Sequence, residues 1–155
     1  MRIILTFLLA LLATPASAQG WEAYQNSRFS YSIDIPPGFY TQSESDNGDG
    51  RTFAAEGKAT YLMVWGGNLL GDFESEVSRR IEAEAGEAWN VSYQAVTPQW
   101  ASWSAVRGSR IVYQRMTMLC DGTSYGAFRA EYSVTDSTVM DPMIDLLVAS
   151  LRGNC

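Results

Sequence analysis

The chain of 155 residues contains no histidine. Histidine is the usual proton donor or acceptor near neutral pH and the commonest metal ligand in proteins. Its absence excludes Ser-His-Asp and Cys-His nucleophile systems and removes histidine-ligated zinc and haem sites. Carboxylate, tyrosine or lysine chemistry remains, together with a hard cation held by oxygen ligands. Lys58 is the only lysine, so a lysine mechanism would rest on one candidate.

Long hydrophobic runs are also scarce, and the one that stands out covers residues 3–13. It follows Arg2 and precedes Ala16-Ser17-Ala18, which is the pattern of a cleavable export signal, and it is too short to span a bilayer. We therefore predict a signal peptide over residues 1–18. The mature chain, residues 19–155, is expected to be a soluble periplasmic protein with no membrane span after signal removal.

Basic residues are few, with 11 against 17 acidic residues and a formal net charge of −6. Nucleic acids and anionic lipid surfaces attract basic proteins, so this balance argues against both as partners. Acidic side chains also keep an exported protein soluble, which is the simpler explanation for the excess. The length that remains after residue 18 suits a single domain with one core.

Hydrophobic periodicity predicts strands and two helices. Residues 29–35 alternate as a half-buried strand, whereas residues 59–65 are apolar on both faces, which is typical of a central strand. One amphipathic helix is predicted over residues 72–85 with Asp72 as its N-cap, and its glutamates 82, 84 and 87 are predicted to face solvent. A second helix is predicted to begin at Asp141, with Pro142 in its first turn, or at Ser137 with the proline inside.

Tight turns such as Asp121-Gly122 predict hairpins, and hence neighbouring strands that run antiparallel. Two helices on the two faces of the sheet would cover the central strand. The predicted architecture is α+β, with a single mainly antiparallel sheet and helices packed on both faces as an α/β/α sandwich.

The stretch at residues 24–39, YQNSRFSYSIDIPPGF, resembles the opening signature of the PsbP-like fold, Y-x-N-x-x-F-G-Y-S-I-x-Y-P-x-x-F. The positions that agree with this signature are Tyr24, Asn26, Phe29, Tyr31, Ser32, Ile33, Pro36 and Phe39. Ser30 stands where glycine is usual. Later segments follow in family order, so the resemblance covers nearly the whole mature chain. It implies one PsbP-like domain of the kind found in small exported bacterial members, and a non-catalytic binding or accessory module.

A polar loop at residues 43–50 is one candidate binding site. Its candidate residues are Glu44, Asp46, Asn47, Asp49 and Arg51. Part of the segment follows EF-hand spacing, with Ser45 at position 1 and Glu56 at position 12. Position 1 should be aspartate and the flanks should be helices, whereas this loop lies between strands. The alternative is a turn that uses Asp, Asn and Gly for its backbone shape. No metal site is predicted.

Arginines on the later strands form a second candidate site, an anion pocket. They are Arg107, Arg110, Arg115 and Arg129. Arginine binds carboxylates and phosphates through two parallel hydrogen bonds, so a cluster of arginines could hold an anionic ligand. The alternative is that they pair with acidic side chains across neighbouring strands.

Only two cysteines are present, Cys120 and Cys155. An exported protein reaches an oxidising compartment, so we predict that they form a structural disulfide that ties the second helix to the sheet. A redox pair would more often have Cys-x-x-Cys spacing.

Two classes of function remain open. The first is an exported, non-catalytic binding or accessory module that acts through a surface on a periplasmic protein or a small ligand. The alternative is a carboxylate- or calcium-dependent hydrolase, which would need two carboxylates facing each other across a cleft. The lack of histidine and the PsbP-like resemblance favour the first class, with no cofactor.

Overall fold

β-Strand is the commonest secondary structure in the described chain. The computed structural model describes residues 20–155, so the signal peptide predicted over residues 1–18 lies outside the described residues. In order, the elements are β1 (Glu22–Asn26), β2 (Tyr31–Ile35), β3 (Phe39–Glu44), β4 (Gly50–Ala55), β5 (Tyr61–Asn68), α1 (Phe73–Gly86), β6 (Asn90–Val96), β7 (Trp100–Arg107), β8 (Arg110–Met118), β9 (Ser124–Ser133), a 3₁₀ turn (Val134–Asp136), α2 (Ser137–Ser150) and β10 (Arg152–Gly153). Neither helix in this part of the chain is long and apolar enough to cross a membrane.

The strands form two sheets. Seven strands pair in the order β3-β4-β5-β9-β8-β7-β6, and three strands pair in the order β1-β2-β10. The pairs in both sheets are antiparallel. The predicted α+β fold with mainly antiparallel strands is therefore confirmed, whereas the prediction of a single sheet is wrong.

The β1–β2 hairpin forms its own sheet because its buried side chains need an apolar surface to cover. Tyr31 and Ile33 are fully buried, and they belong to one core cluster with Leu62 and Val64 of the large sheet. Leu147 of α2 lies in the same cluster. Placed at an edge of the large sheet, the hairpin would leave part of this apolar surface in water, at a cost of roughly 25 cal/mol per Å².

The second strand begins at Tyr31, two residues later than the alternation predicted. The backbone N–H of Phe29 donates to Asn26 Oδ1 at 2.9 Å, which holds the preceding residues in a turn. Ser30 closes this turn with φ +52°. Glycine adopts such a backbone angle without steric cost, which explains why glycine is usual at this position of the PsbP-like signature.

Strand β5 is covered less completely than its apolar sequence predicted. Leu62 and Val64 are buried, whereas Tyr61 is exposed and Trp65 is half-buried. Trp65 lies beneath α1, where the guanidinium of Arg80 is 5.6 Å from its ring centroid. A long charged side chain covers this part of the sheet, so burial there is incomplete.

Helix α1 follows the prediction at its start and departs from it near its end. Asp72 is the N-cap, and its Oδ1 accepts a hydrogen bond from the N–H of Ser75 at 2.8 Å. Phe73 and Val77 are buried, as expected for the apolar side of an amphipathic helix. Glu84 is also buried, so its predicted position on a solvated face is wrong. The reason is an ion pair with the sheet, described below.

Helix α2 begins at Ser137, so Pro142 lies inside it and the predicted start at Asp141 is wrong. The 3₁₀ turn at residues 134–136 already bends the chain into helical form, and the hydroxyl of Ser133 accepts from the N–H of Thr135. Proline lacks the N–H that would bond to the carbonyl of Thr138. Thr138 and Pro142 are exposed, so water can solvate that carbonyl.

A disulfide joins Cys120 to Cys155, with their Cα atoms 5.8 Å apart. This confirms the predicted pairing. Cys120 follows β8, and Cys155 follows the short β10 strand that pairs with β2. Because α2 leads directly into β10, the bond restrains the end of that helix against the large sheet.

We predict that Gly50→Ala destabilises the protein by about 1–3 kcal/mol, the usual cost of overpacking. A Cβ at this position would overlap the Val64 carbonyl oxygen and lie 2.6 Å from Trp65 Cα, and backbone atoms of a paired strand cannot move aside. Urea unfolding measures the change. Gly86→Ala is the matched control, because its Cβ would meet nothing within 4 Å and alanine favours the helix. Equal stability of the two variants would contradict the prediction.

Candidate functional site

The polar loop is a hairpin turn between β3 and β4. Two of its acidic side chains form ion pairs with arginines, with Glu44 at 2.6 Å from Arg51 and Asp49 at 3.1 Å from Arg28. The side-chain amide of Asn47 donates to Asp49 Oδ2 at 2.6 Å. These contacts match the turn alternative, in which polar side chains set the backbone shape.

The turn is also fastened to the core. The hydroxyl of Tyr31 donates to the carbonyl of Asp49 at 3.2 Å, and the amide of Asn26 donates to the carbonyl of Gly48 at 2.8 Å. Burial is the main reason that the pKa of Tyr31 rises above its ordinary range, so its hydroxyl remains a donor. The loop is thus held rigidly beside the opening signature.

The structure does not bring the EF-hand positions together. Glu56 lies beyond the far end of β4 from Asp49, roughly 23 Å away for seven residues of extended strand, and it accepts a hydrogen bond from the hydroxyl of Tyr40 at 2.8 Å. Asp46 is exposed. Within residues 20–155, no group of three or more carboxylate or cysteine side chains is arranged to hold a metal ion.

We predict that millimolar calcium leaves the melting temperature unchanged. Any ligand bound only by the native state raises that temperature by mass action, but calcium would have to displace Arg28 and Arg51 from the loop carboxylates. Calorimetry with and without calcium measures the shift. A clear rise that Asp49→Ala abolishes would contradict the prediction and make the loop a metal site.

The four arginines of the predicted anion pocket lie on two different sides of the large sheet. In the β8–β9 pairing, Gln114 is opposite Arg129 and Arg115 is opposite Phe128. Paired residues share one side of a sheet, and successive residues alternate between sides. Arg115 therefore points away from the side that carries Arg129. Arg107 and Arg110, a pair in the β7–β8 register, lie on the side of Arg129.

Around Arg129, arginines and acids form a partly buried network, in which Glu84 of α1 is the buried carboxylate. Arg129 forms an ion pair with Glu84 and lies 3.6 Å from Glu131. Glu131 also pairs with Arg110 at 3.3 Å, and the amide of Gln114 donates to Glu84. This cross-strand and helix-to-sheet pairing is the alternative to the anion pocket on this side. It also explains why Glu84 turns inward.

Arg107 belongs to the margin of the same network. Its guanidinium lies 4.3 Å from the ring centroid of Trp89 and donates to the carbonyl of Glu87 at 3.0 Å. The guanidinium carbon of Arg129 lies 5.3 Å from the ring centroid of the same tryptophan. The network therefore stabilises the packing of α1 against the sheet.

We predict that Glu84→Gln lowers the free energy of unfolding by about 3 kcal/mol. Breaking one member of a buried ion pair typically costs 3–5 kcal/mol, and the lower end applies because Glu131 still faces Arg129. Urea unfolding measures the loss. Glu82→Gln, on the exposed side of the same helix, is the control and should change stability by less than about 0.5 kcal/mol. Equal losses in both variants would contradict the prediction.

The other side of β6, β7 and β8 carries a different surface, which we call the aromatic face. Its residues are Tyr93, Trp100, Ser102, Tyr113 and Arg115, which the strand registers place on one side of the sheet. Tyr93 and Trp100 are 49% and 36% exposed, which is unusual for large aromatic side chains. Tyr113 stacks on Phe128, which joins the face to the core.

Charged side chains are absent from β6, and β7 carries only Arg107 at its end. From Ala88 to Val106 the sequence contains no Asp, Glu, Lys or Arg. The arginine nearest the exposed aromatic rings is Arg115, which lies 4.3 Å from the ring centroid of Trp100. This face was not predicted from the sequence. Two signals for it were present, the long uncharged run and the small polar residues that follow Trp100 at every second position of β7.

Comparison with solved structures identifies the fold. No protein-family model and no curated protein matches the chain. The fold is PsbP-like, as the opening signature predicted. Cyanobacterial PsbP (CyanoP) from Synechocystis sp. PCC 6803 superposes with a TM-score of 0.66 at 11% identity, over 90% of this chain and 96% of its own. The Saccharomyces cerevisiae Ran-binding protein Mog1p superposes with a TM-score of 0.63 at 6% identity, over 86% of this chain and 95% of its own.

Proposed function

We propose that this protein is an exported, non-catalytic binding module that acts in the periplasm and recognises a partner protein through the aromatic face. The observation that carries the proposal is the composition of that face. Tryptophan, tyrosine and arginine supply most binding energy at protein interfaces, and Tyr93, Trp100 and Arg115 lie together on an uncharged background.

The remaining parts of the proposal have separate support. A periplasmic location is supported by the export-signal pattern of residues 1–18. A binding role is supported by the likeness in fold to Mog1p, which is described as a Ran-binding protein. An acidic, periplasmic module is not expected to bind nucleic acid.

We also infer that the domain, residues 19–155, is an α/β/α sandwich in which α1 and α2 cover opposite sides of the large sheet. Phe73 of α1 packs in a cluster with Ala127 of β9, and Ile144 of α2 belongs to the cluster of Phe128. Neighbouring residues of one strand point to opposite sides, which supports this placement of the helices. The aromatic face would then be the part of the α2 side that extends beyond the helix.

Two cavities border the aromatic face, about 320 Å³ at Trp100 and about 460 Å³ at Tyr93, but neither includes Arg115, which favours a protein over a small ligand as the partner. Small-molecule sites are usually concave and bury most of the ligand, whereas protein interfaces are broad. The alternative of a hydrolase needs two carboxylates free to face a substrate, and the acids of the described networks are instead paired with arginines.

We predict that a photo-crosslinking amino acid in place of Tyr93 captures one discrete protein in the periplasm of the native cell. The same probe in place of Tyr61, which is 42% exposed on β5, is the matched control and should not capture it. Trp100→Ala should abolish the crosslink at position 93 while leaving the melting temperature within a few degrees of the parent. Identical products at both positions, or no product at position 93, would count against the proposal.

A further inference from the structure

We propose that Arg115 is an anion-binding residue that receives the carboxylate of an aspartate or glutamate side chain on the partner protein. This inference rests on the proposed function, because it specifies the chemistry by which the aromatic face recognises its partner. It replaces the four-arginine pocket with a single arginine on one side of the sheet.

The orientation of Arg115 leaves donors free for a ligand. Its guanidinium carbon lies over the ring of Trp100, 4.3 Å from the ring centroid, and the group donates one hydrogen bond to Ser102 Oγ at 3.1 Å. A guanidinium has five N–H donors, and this hydrogen bond uses only one of them. The contacts with Trp100 and Ser102 therefore position the group while leaving N–H donors for a carboxylate, which arginine binds through two parallel hydrogen bonds.

Arg115 also lacks a counter-charge in the described chain. None of the ion pairs formed within residues 20–155 includes it, whereas Arg110 and Arg129 are both paired with carboxylates. Burial lowers the pKa of the Arg115 guanidinium, and the neighbouring titratable groups that oppose this effect are the hydroxyls of Tyr113 and Tyr93. A half-buried cation of this kind is stabilised by an opposite charge from outside the chain.

Arg107 shows that stacking by itself does not make such a site. It lies at the same 4.3 Å distance from a tryptophan, Trp89, but it donates to the carbonyl of Glu87 and lies on the side that carries Glu84 and Glu131. An incoming carboxylate would meet acids there. Around Arg115 lie the Trp100 ring and the hydroxyls of Ser102, Tyr113 and Tyr93, so the charge among these groups is that of the guanidinium itself.

The shape of the surface favours a side chain of a protein as the source of the carboxylate. A neighbouring cavity of about 320 Å³ reaches Trp100 and Thr117 but does not include Arg115. A free small acid bound at Arg115 would remain largely in water. When a protein surface presents the carboxylate, that surface also covers Trp100 and Tyr93 and excludes water from them. The exclusion of water strengthens the ion pair.

The test uses two terminally blocked amino acids as probes, N-acetyl-glutamate methylamide and its glutamine analogue. We expect millimolar glutamate probe to shift the NMR signals of the Arg115 guanidinium and the Trp100 indole saturably in the folded protein. The glutamine probe should give shifts about tenfold smaller, because the charge-assisted pair is lost. Arg115→Gln should remove the response of the Trp100 signal, and Arg107→Gln, the matched control, should retain it.

Several outcomes would overturn the inference. These are equal shifts with the two probes, an unchanged Trp100 response in the Arg115→Gln variant, or a stronger response to inorganic phosphate or to anionic phospholipid vesicles than to the glutamate probe.

A companion experiment introduces Arg115→Glu into the protein that carries the crosslinker at position 93. We expect it to abolish the captured species, whereas Arg107→Glu should not. If the captured species survives Arg115→Glu, the carboxylate site is wrong and the proposed binding face still stands. If no species is captured without the substitution, the proposed function itself fails.

Discussion

The alternation of side chains along β9 is the constraint on which both parts of the core depend. Ala127 packs in the cluster beneath α1, and its neighbour Phe128 packs in the cluster that contains β2 and α2. Both residues are fully buried. A shift of one residue in the pairing would exchange the two sets and place Arg129 in the apolar cluster, so the register of β9 with β5 and β8 is tightly specified. The ion pair between Arg129 and Glu84 follows from this register.

The same alternation places the ion pairs around Arg129 and the aromatic face on opposite sides of the large sheet. Gln114 and Arg115 are neighbours on β8, but the first joins the partly buried network around Arg129 and the second lies beside Trp100. On the side of α1, arginines form ion pairs with acidic side chains of the same chain and stabilise the packing of the helix. On the other side, an arginine sits among rings and hydroxyls in an otherwise uncharged region. Two surfaces of opposite chemical character thus arise from one strand, and the second is suited to recognition.

Local sequence patterns predicted much of the fold but little of the candidate functional site. The opening signature predicted the PsbP-like fold, and period-two and helical patterns predicted most of the elements, because both reflect short-range geometry and burial. Strand β3 escaped prediction because it is an edge strand with mostly exposed side chains, so it has no apolar alternation. Glu84 was placed in solvent because its partner, Arg129, lies 45 residues away in the sequence. The polar loop was interpretable either as a metal site or as a turn, and the positions of Arg28, Arg51 and Glu56 in the folded chain favoured the turn.

The amino-acid sequence by itself determined which chemistries are excluded, where most of the strands and both helices form, and which two cysteines pair. Those conclusions need only composition, compartment and local periodicity. The tertiary structure decided that the β1–β2 hairpin forms a second sheet and that four arginines divide three to one between the sides of the large sheet. The physical reason is that the side reached by each arginine depends on strand register, and register is set by long-range burial of residues such as Phe128 and Ala127. Whether a charged side chain meets an acid of its own chain or faces solvent is therefore a property of the packed molecule.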